Sequence, residues 1–101
     1  MYKLEYLASA ATDILEIDAY LYGHSPTAAD KFMDSIEEAA KNLRIYPLMF
    51  PVYEDDPYFR HLTLTYGYRL FYHANEDFRV IKICRILHGM MDVKGIIESE
   101  G

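Results

Sequence analysis

Phe59–His88 reads FRHLTLTYGYRLFYHANEDFRVIKICRILH, and the period of this stretch decides the fold. Apolar residues recur at every second position, as in half-buried strands. Gly67 and Asn75-Glu76-Asp77 interrupt the pattern with residue types that suit chain reversals. The spacing predicts three strands, Phe59–Tyr66, Tyr68–Ala74 and Phe78–Leu87, paired as antiparallel neighbours. Alternation places Leu62, Leu64, Leu70, Tyr72, Val80, Cys84 and Ile86 on one face, which is apolar enough to need a covering layer. The opposite face then presents His61, Thr63, Thr65, Arg69, Phe71, His73, Arg79, Ile81, Ile83 and Arg85. Lys82 conflicts with this assignment because it would point inward; a bulge, an edge position or a shifted parity in the last strand would resolve it.

Upstream, the period changes to that of helices. Tyr2–Leu7 alternates loosely and suits a half-buried strand. Ser9 offers an N-cap, Ala10, Ile14, Ile17 and Leu21 follow at helical spacing, and Gly23 supplies a stop. Ser25-Pro26 restarts a helix with a capping residue and a proline at its first position. Ala29, Phe32, Met33, Ile36, Ala40 and Leu43 form its apolar stripe, and Pro47 ends it. The short gap implies an antiparallel helical hairpin. Residues 47–57 read as a loop, and Asp92 caps a short terminal helix through Val93, Ile96 and Ile97. The result is one α+β domain over residues 1–101, ordered β-α-α-β-β-β with a short C-terminal helix. The hairpin packs on one face of a small, mainly antiparallel sheet.

Composition narrows the function classes. The 101 residues carry a formal net charge of −6, so unaided attraction to nucleic acid is opposed. The distribution is uneven. Glu54, Asp55 and Asp56 crowd the loop, whereas Arg60, Arg69, Arg79, Lys82, Arg85 and Lys94 outnumber the acids of residues 58–94. No apolar run is long enough to span a membrane, and the N-terminus lacks the layout of a signal peptide. A cytoplasmic protein without membrane contact is expected. The single Cys84 allows no internal disulfide and, lying mid-strand among apolar residues, reads as a buried thiol. His24, His61, His73 and His88 are scattered, so neither a metal site nor a cofactor is expected.

Chemistry concentrates on the polar sheet face. A guanidinium held on strand backbone clamps a phosphate bidentately and stabilises developing negative charge, a role open to Arg69 and Arg85. His88, at the end of the last strand, is of the residue type suited to proton transfer near neutral pH. Alternatively, these arginines pair with acids of this chain or of a partner. Phe71, His73, Arg79, Ile81 and Ile83 make the same face partly apolar, as expected of a surface awaiting a protein cover.

Four motifs in order resemble the RelE/ParE superfamily of bacterial type II toxins. The first helix fits A-x-x-D-[IL]-x-x-I-x-x-Y through Ala10, Asp13, Ile14, Ile17 and Tyr20, and the second fits through Ala29, Phe32, Ile36, Leu43 and Pro47. Tyr68-Arg69-Leu70-Phe71-Tyr72 resembles Y-R-[IL]-x-Y. Arg85-Ile86-Leu87-His88-Gly89, with Asp92 beyond, resembles R-[VI]-L-H-G-x-x-D. The resemblance implies a growth-inhibiting toxin neutralised by a cognate antitoxin. For a RelE-type mRNA interferase, which cleaves mRNA on the ribosome, it implies that Arg69 holds the scissile phosphate. Arg85 would then stabilise charge and His88 transfer a proton. The alternatives are a ParE-type inhibitor that poisons DNA gyrase by protein contacts, or an inactive antitoxin-binding homologue. Met90-Met91 after the His-Gly pair, and the acidic 54–56 triplet, depart from the cationic pattern of the nucleases.

Overall fold

The computed structural model describes residues 1–89 and 91–100, with Glu100 in its backbone only. The elements are β1 (Lys3–Tyr6), α1 (Ala8–His24), α2 (Pro26–Ile45), β2 (Arg60–Thr63), a 3-10 turn at Thr65–Gly67, β3 (Tyr68–Asn75), β4 (Val80–His88) and α3 (Val93–Glu100). The expected order is the observed one. Strands stand in the order β1-β4-β3-β2. β1 runs parallel to β4, and the other two pairings are antiparallel.

Ser25 organises the hairpin from both sides. Its backbone N–H donates to the Leu21 carbonyl at 2.7 Å, closing α1, and its hydroxyl accepts from the Ala28 N–H at 3.3 Å, opening α2. Gly23 is therefore not the stop: α1 runs through it to His24. Nor is Ser9 the cap. Leu7 occupies that position without a side-chain bond, and the Ser9 hydroxyl donates to the Cys84 carbonyl at 2.8 Å.

That bond belongs to a larger substitution. β1 ends at Tyr6, opposite Ile83, and leaves the rest of β4 without a strand neighbour on that side. Side chains of α1 take over its polar groups. Besides Ser9, the Asp13 carboxylate accepts the Ile86 N–H at 2.9 Å. It also accepts Arg85 Nε at 2.7 Å and Nη2 at 2.8 Å. An otherwise open strand edge is thereby satisfied by a helix.

Two apolar layers flank the sheet. The hairpin contributes Ala10, Leu21, Ala29, Phe32, Ile36 and Leu43 against Leu62, Leu70, Tyr72, Ile81, Ile83 and Ile86. On the outer face, Val93 and Ile97 of α3 pack with Tyr53 and Phe59 against Phe71, Cys84 and Leu87. This corrects the alternation read from sequence. Register shifts at Phe71/Tyr72: Phe71 opposes Arg85, but Tyr72 opposes Ile83, so β4 carries one extra residue, Cys84. The bulge inverts the parity of the first half of β4. Ile81 and Ile83 are fully buried under the hairpin rather than displayed, and Cys84 belongs to the outer layer. Lys82, paired with His73, is exposed, which removes the conflict noted in the sequence. Phe71 does lie on the outer face, as alternation requires, but it is completely covered.

The turns also differ in detail. β2 stops at Thr63, and reversal comes through Tyr66 at φ 59° and Gly67 at φ 78°. A Cβ on Gly67 would sit 3.3 Å from His88 Nε2, so both the backbone and the neighbour favour glycine. The β3–β4 turn extends to Arg79, at φ 55°, and leaves Phe78 79 % exposed instead of beginning the strand.

Candidate functional site

The side chains singled out from sequence occupy separate places. Arg69 lies on the outer face of β3, paired with Thr63 and Leu87. Its guanidinium carbon is 5.3 Å from the Phe71 ring centroid. Among the described residues it makes no recorded hydrogen bond or ion pair. Arg85 is committed to Asp13 by the paired bonds described above, with only 18 % of its side chain accessible. His88 opposes Tyr68, whose ring packs edge-on to it at 5.1 Å, and Tyr68 belongs to the hairpin-side core. Arg69 and His88 thus project to opposite faces of the sheet.

The remaining candidates are equally dispersed. His73 stacks on Tyr58 with ring centroids 3.8 Å apart, and its Nδ1 is 2.9 Å from the Tyr58 carbonyl, which makes Nδ1 the donor. Arg79 lies in the far turn, its guanidinium carbon 5.6 Å from the Tyr2 ring centroid. Phe71, Ile81 and Ile83 are buried and offer no surface to a partner. Met90 lies outside the described residues, and Met91 is exposed.

What the structure does bring together is a pocket of about 270 Å³ around Arg69, lined also by Pro51, Val52, Tyr53, Glu54, Asp55 and His61. His61 stacks on Phe71 and meets Tyr53 edge-on. Burial, and then the Arg69 charge, hold its pKa below the usual value, against the pull of Glu54. The imidazole is therefore mainly neutral at pH 7. Burial pushes the Tyr53 phenol up, and its hydrogen bond to Asp55 at 3.2 Å adds to the shift. A neutral imidazole, a protonated phenol, one guanidinium and two carboxylates share this concavity. The carboxylates oppose a phosphate backbone beside Arg69. The acidic 54–55 stretch is loop, as its sequence implies; its adjacency to Arg69 depends on the loop folding back over β2, which no local pattern encodes.

A second concavity, of about 520 Å³, lies between the helices and is lined by Tyr6, Ala11, Ile14, Leu15, Met33, Ile36 and Glu37. Leu15 is 71 % exposed at its edge. Its signal was present in the sequence, since Ala11 and Leu15 form a second apolar row beside the main stripe of α1. Among the described residues, no group of three or more His, Cys, Asp or Glu is placed to hold a metal. No described helix is long and apolar enough to cross a membrane.

Residues 4–93 match the family described as the ParE toxin of the type II toxin–antitoxin system parDE. The chain belongs to this ParE toxin family. No curated protein matches it in sequence. The ParE-family chain is similar to a solved chain from the chromosomal ParDE system of P. aeruginosa, at 26 % identity and a TM-score of 0.68; the match covers 87 % of this chain and 96 % of that one. It shares its fold with a chain of the RelBE2 toxin–antitoxin complex from Mycobacterium tuberculosis, at 19 % identity and a TM-score of 0.63, covering 86 % and 96 %. The isolated E. coli RelE toxin has the same fold at 14 % identity and a TM-score of 0.64, covering 98 % and 97 %.

Proposed function

We propose that this ParE-family toxin arrests growth by binding a protein, the host DNA gyrase, and cuts no RNA itself. A cognate antitoxin neutralises it. The observation that carries this reading is the dispersal of Arg69, Arg85 and His88. An RNA-cleaving centre needs an acid, a base and a charge stabiliser around one phosphate. Here one arginine is tied to Asp13, and the other is separated from His88 by the thickness of the sheet. The carboxylates of Glu54 and Asp55 in the Arg69 pocket add to the case. The similarity to a ParDE chain supports the choice of target.

The apolar groove between α1 and α2 is the seat for the antitoxin in this reading. An amphipathic segment that folds on binding would bury Leu15, Ile14 and Met33 along one helix face.

The test is induction of the toxin without antitoxin in a bacterial host, with the DNA-damage response and mRNA 5′ ends followed together. Damage signalling without new mRNA ends is expected. New ends in codon register, lost in Arg69→Ala, would replace this reading with ribosome-dependent mRNA cleavage.

A further inference from the structure

We infer that the apolar segment following α2, together with the acid-rimmed pocket it leads into, is a docking surface for a basic, apolar segment of the toxin's protein target. This deepens the protein-target reading and rests on it.

The first observation is an exposed apolar run held rigidly. Ile45, Tyr46, Leu48, Met49 and Val52 are all exposed; Tyr46 reaches 62 % and Met49 55 %. A loose loop with these side chains would collapse onto the nearest apolar surface. This one is pinned from beneath through its carbonyl groups. The Tyr72 hydroxyl donates to Pro47 O at 2.8 Å. Arg60 Nη1 donates to Phe50 O at 2.7 Å and Leu48 O at 3.4 Å. The His61 N–H donates to Pro51 O at 3.1 Å. With its backbone already ordered, the loop loses little further freedom when a partner binds.

The second observation is charge. Val52 joins the apolar run to the pocket, where Glu54 and Asp55 stand against the single lining cation, Arg69. Glu98 acts on Tyr53 from α3 with the same sign as Asp55. The walls include Tyr53 and His61, whose rings pack edge-on to each other and against Phe71, so they are fixed in place. Two carboxylates, aromatic walls and room for one long side chain fit a lysine or arginine and repel a polyanion. The occupant that satisfies both halves is a protein segment that places apolar residues on Leu48, Met49 and Val52 and a basic residue in the pocket.

NMR titration with two probes tests this: a short peptide of alternating leucine and arginine, and a single-stranded oligouridine. The peptide is expected to shift the Val52, Tyr53 and His61 amide signals saturably, and oligouridine to leave them unmoved. Peptide affinity should fall about tenfold in Glu54→Gln/Asp55→Asn and fall further with added salt. It should rise in Arg69→Ala, the opposite of what an RNA site gives. Equal affinity in the double variant, shifts confined to the Asp34–Glu38 surface of α2, or oligouridine shifting the same signals would overturn the inference. So would a wild-type dimer dissolved by Leu48→Ser/Met49→Ser, which would assign the surface to a second copy. In cells, the four changes combined should leave a folded chain, by circular dichroism, that no longer arrests growth. Retained arrest would overturn this surface alone; the gyrase reading fails separately, if the wild-type toxin gives codon-register mRNA ends.

Discussion

His61 shares its pocket with opposed charges: Arg69 lowers its pKa and Glu54 raises it. Because the causes of its shift have different signs, neighbouring substitutions must move it in different directions. Arg69→Gln should raise the His61 pKa and Glu54→Gln should lower it, both read from the imidazole proton signals in an NMR titration. Shifts of one sign, or none, would mean that the two side chains do not face the ring. The same shift links stability to pH. The folded pKa lies below the unfolded value of about 6.5, so below that pH the unfolded chain binds the proton more readily. The stability this group contributes is present above about pH 6.5 and is lost as pH falls through the folded pKa. His61→Gln should therefore flatten that part of the acid limb in urea unfolding measured across pH. An unchanged limb would place the acid sensitivity elsewhere.

At the scale of elements, the junction of α1 with β4 is the least replaceable feature. Asp13 accepts three hydrogen bonds, from Arg85 Nε and Nη2 and from the Ile86 N–H, and is only 7 % exposed. Removing one partner strands a buried charge, which costs about 3 kcal/mol or more in comparable sites. Arg85→Met and Asp13→Asn are each expected to destabilise by about that amount, and the double variant by less than the sum. A double-mutant cycle in urea measures this, and full additivity would refute the pairing. The element order was legible because its signals are local: Ser25-Pro26 marks the hairpin, Pro47 its end, and alternation the strands. The bulge was legible only as the conflict at Lys82; its place was not. Whether Cys84 counts in the alternation depends on Phe71 opposing Arg85 while Tyr72 opposes Ile83, and a strand's own sequence does not state its partner's register. That one residue moved Ile81 and Ile83 from the displayed face to the core. Likewise Asp13 and Arg85 each stood out as motif positions, but 72 residues separate them and only the fold brings them together.

The whole molecule is a sheet with unequal covers. The hairpin side is deep and built from two long helices, whereas the outer side depends on α3 and a few aromatic side chains. Val93 is 7 % exposed and Ile97 fully buried, and both lie over Phe71, Cys84 and Leu87. Burial of such side chains contributes about 1.5–3 kcal/mol each, so truncation after Asp92 should cost roughly 3–6 kcal/mol. Domains of this size have about 5–15 kcal/mol in total. The hairpin-side core retains its own residues, so the shortened chain should keep its far-ultraviolet circular dichroism, unfold at lower urea and bind a hydrophobic dye at the uncovered Phe71 and Leu87. Ile97→Ser separates loss of packing from loss of chain: it removes the buried contact while leaving Glu98, which acts on Tyr53, in place. It should reproduce the drop in urea midpoint in part. If neither change lowers the midpoint, α3 contributes nothing to the outer layer, and the sheet's outer face must be stable through Tyr53 and Phe59 alone.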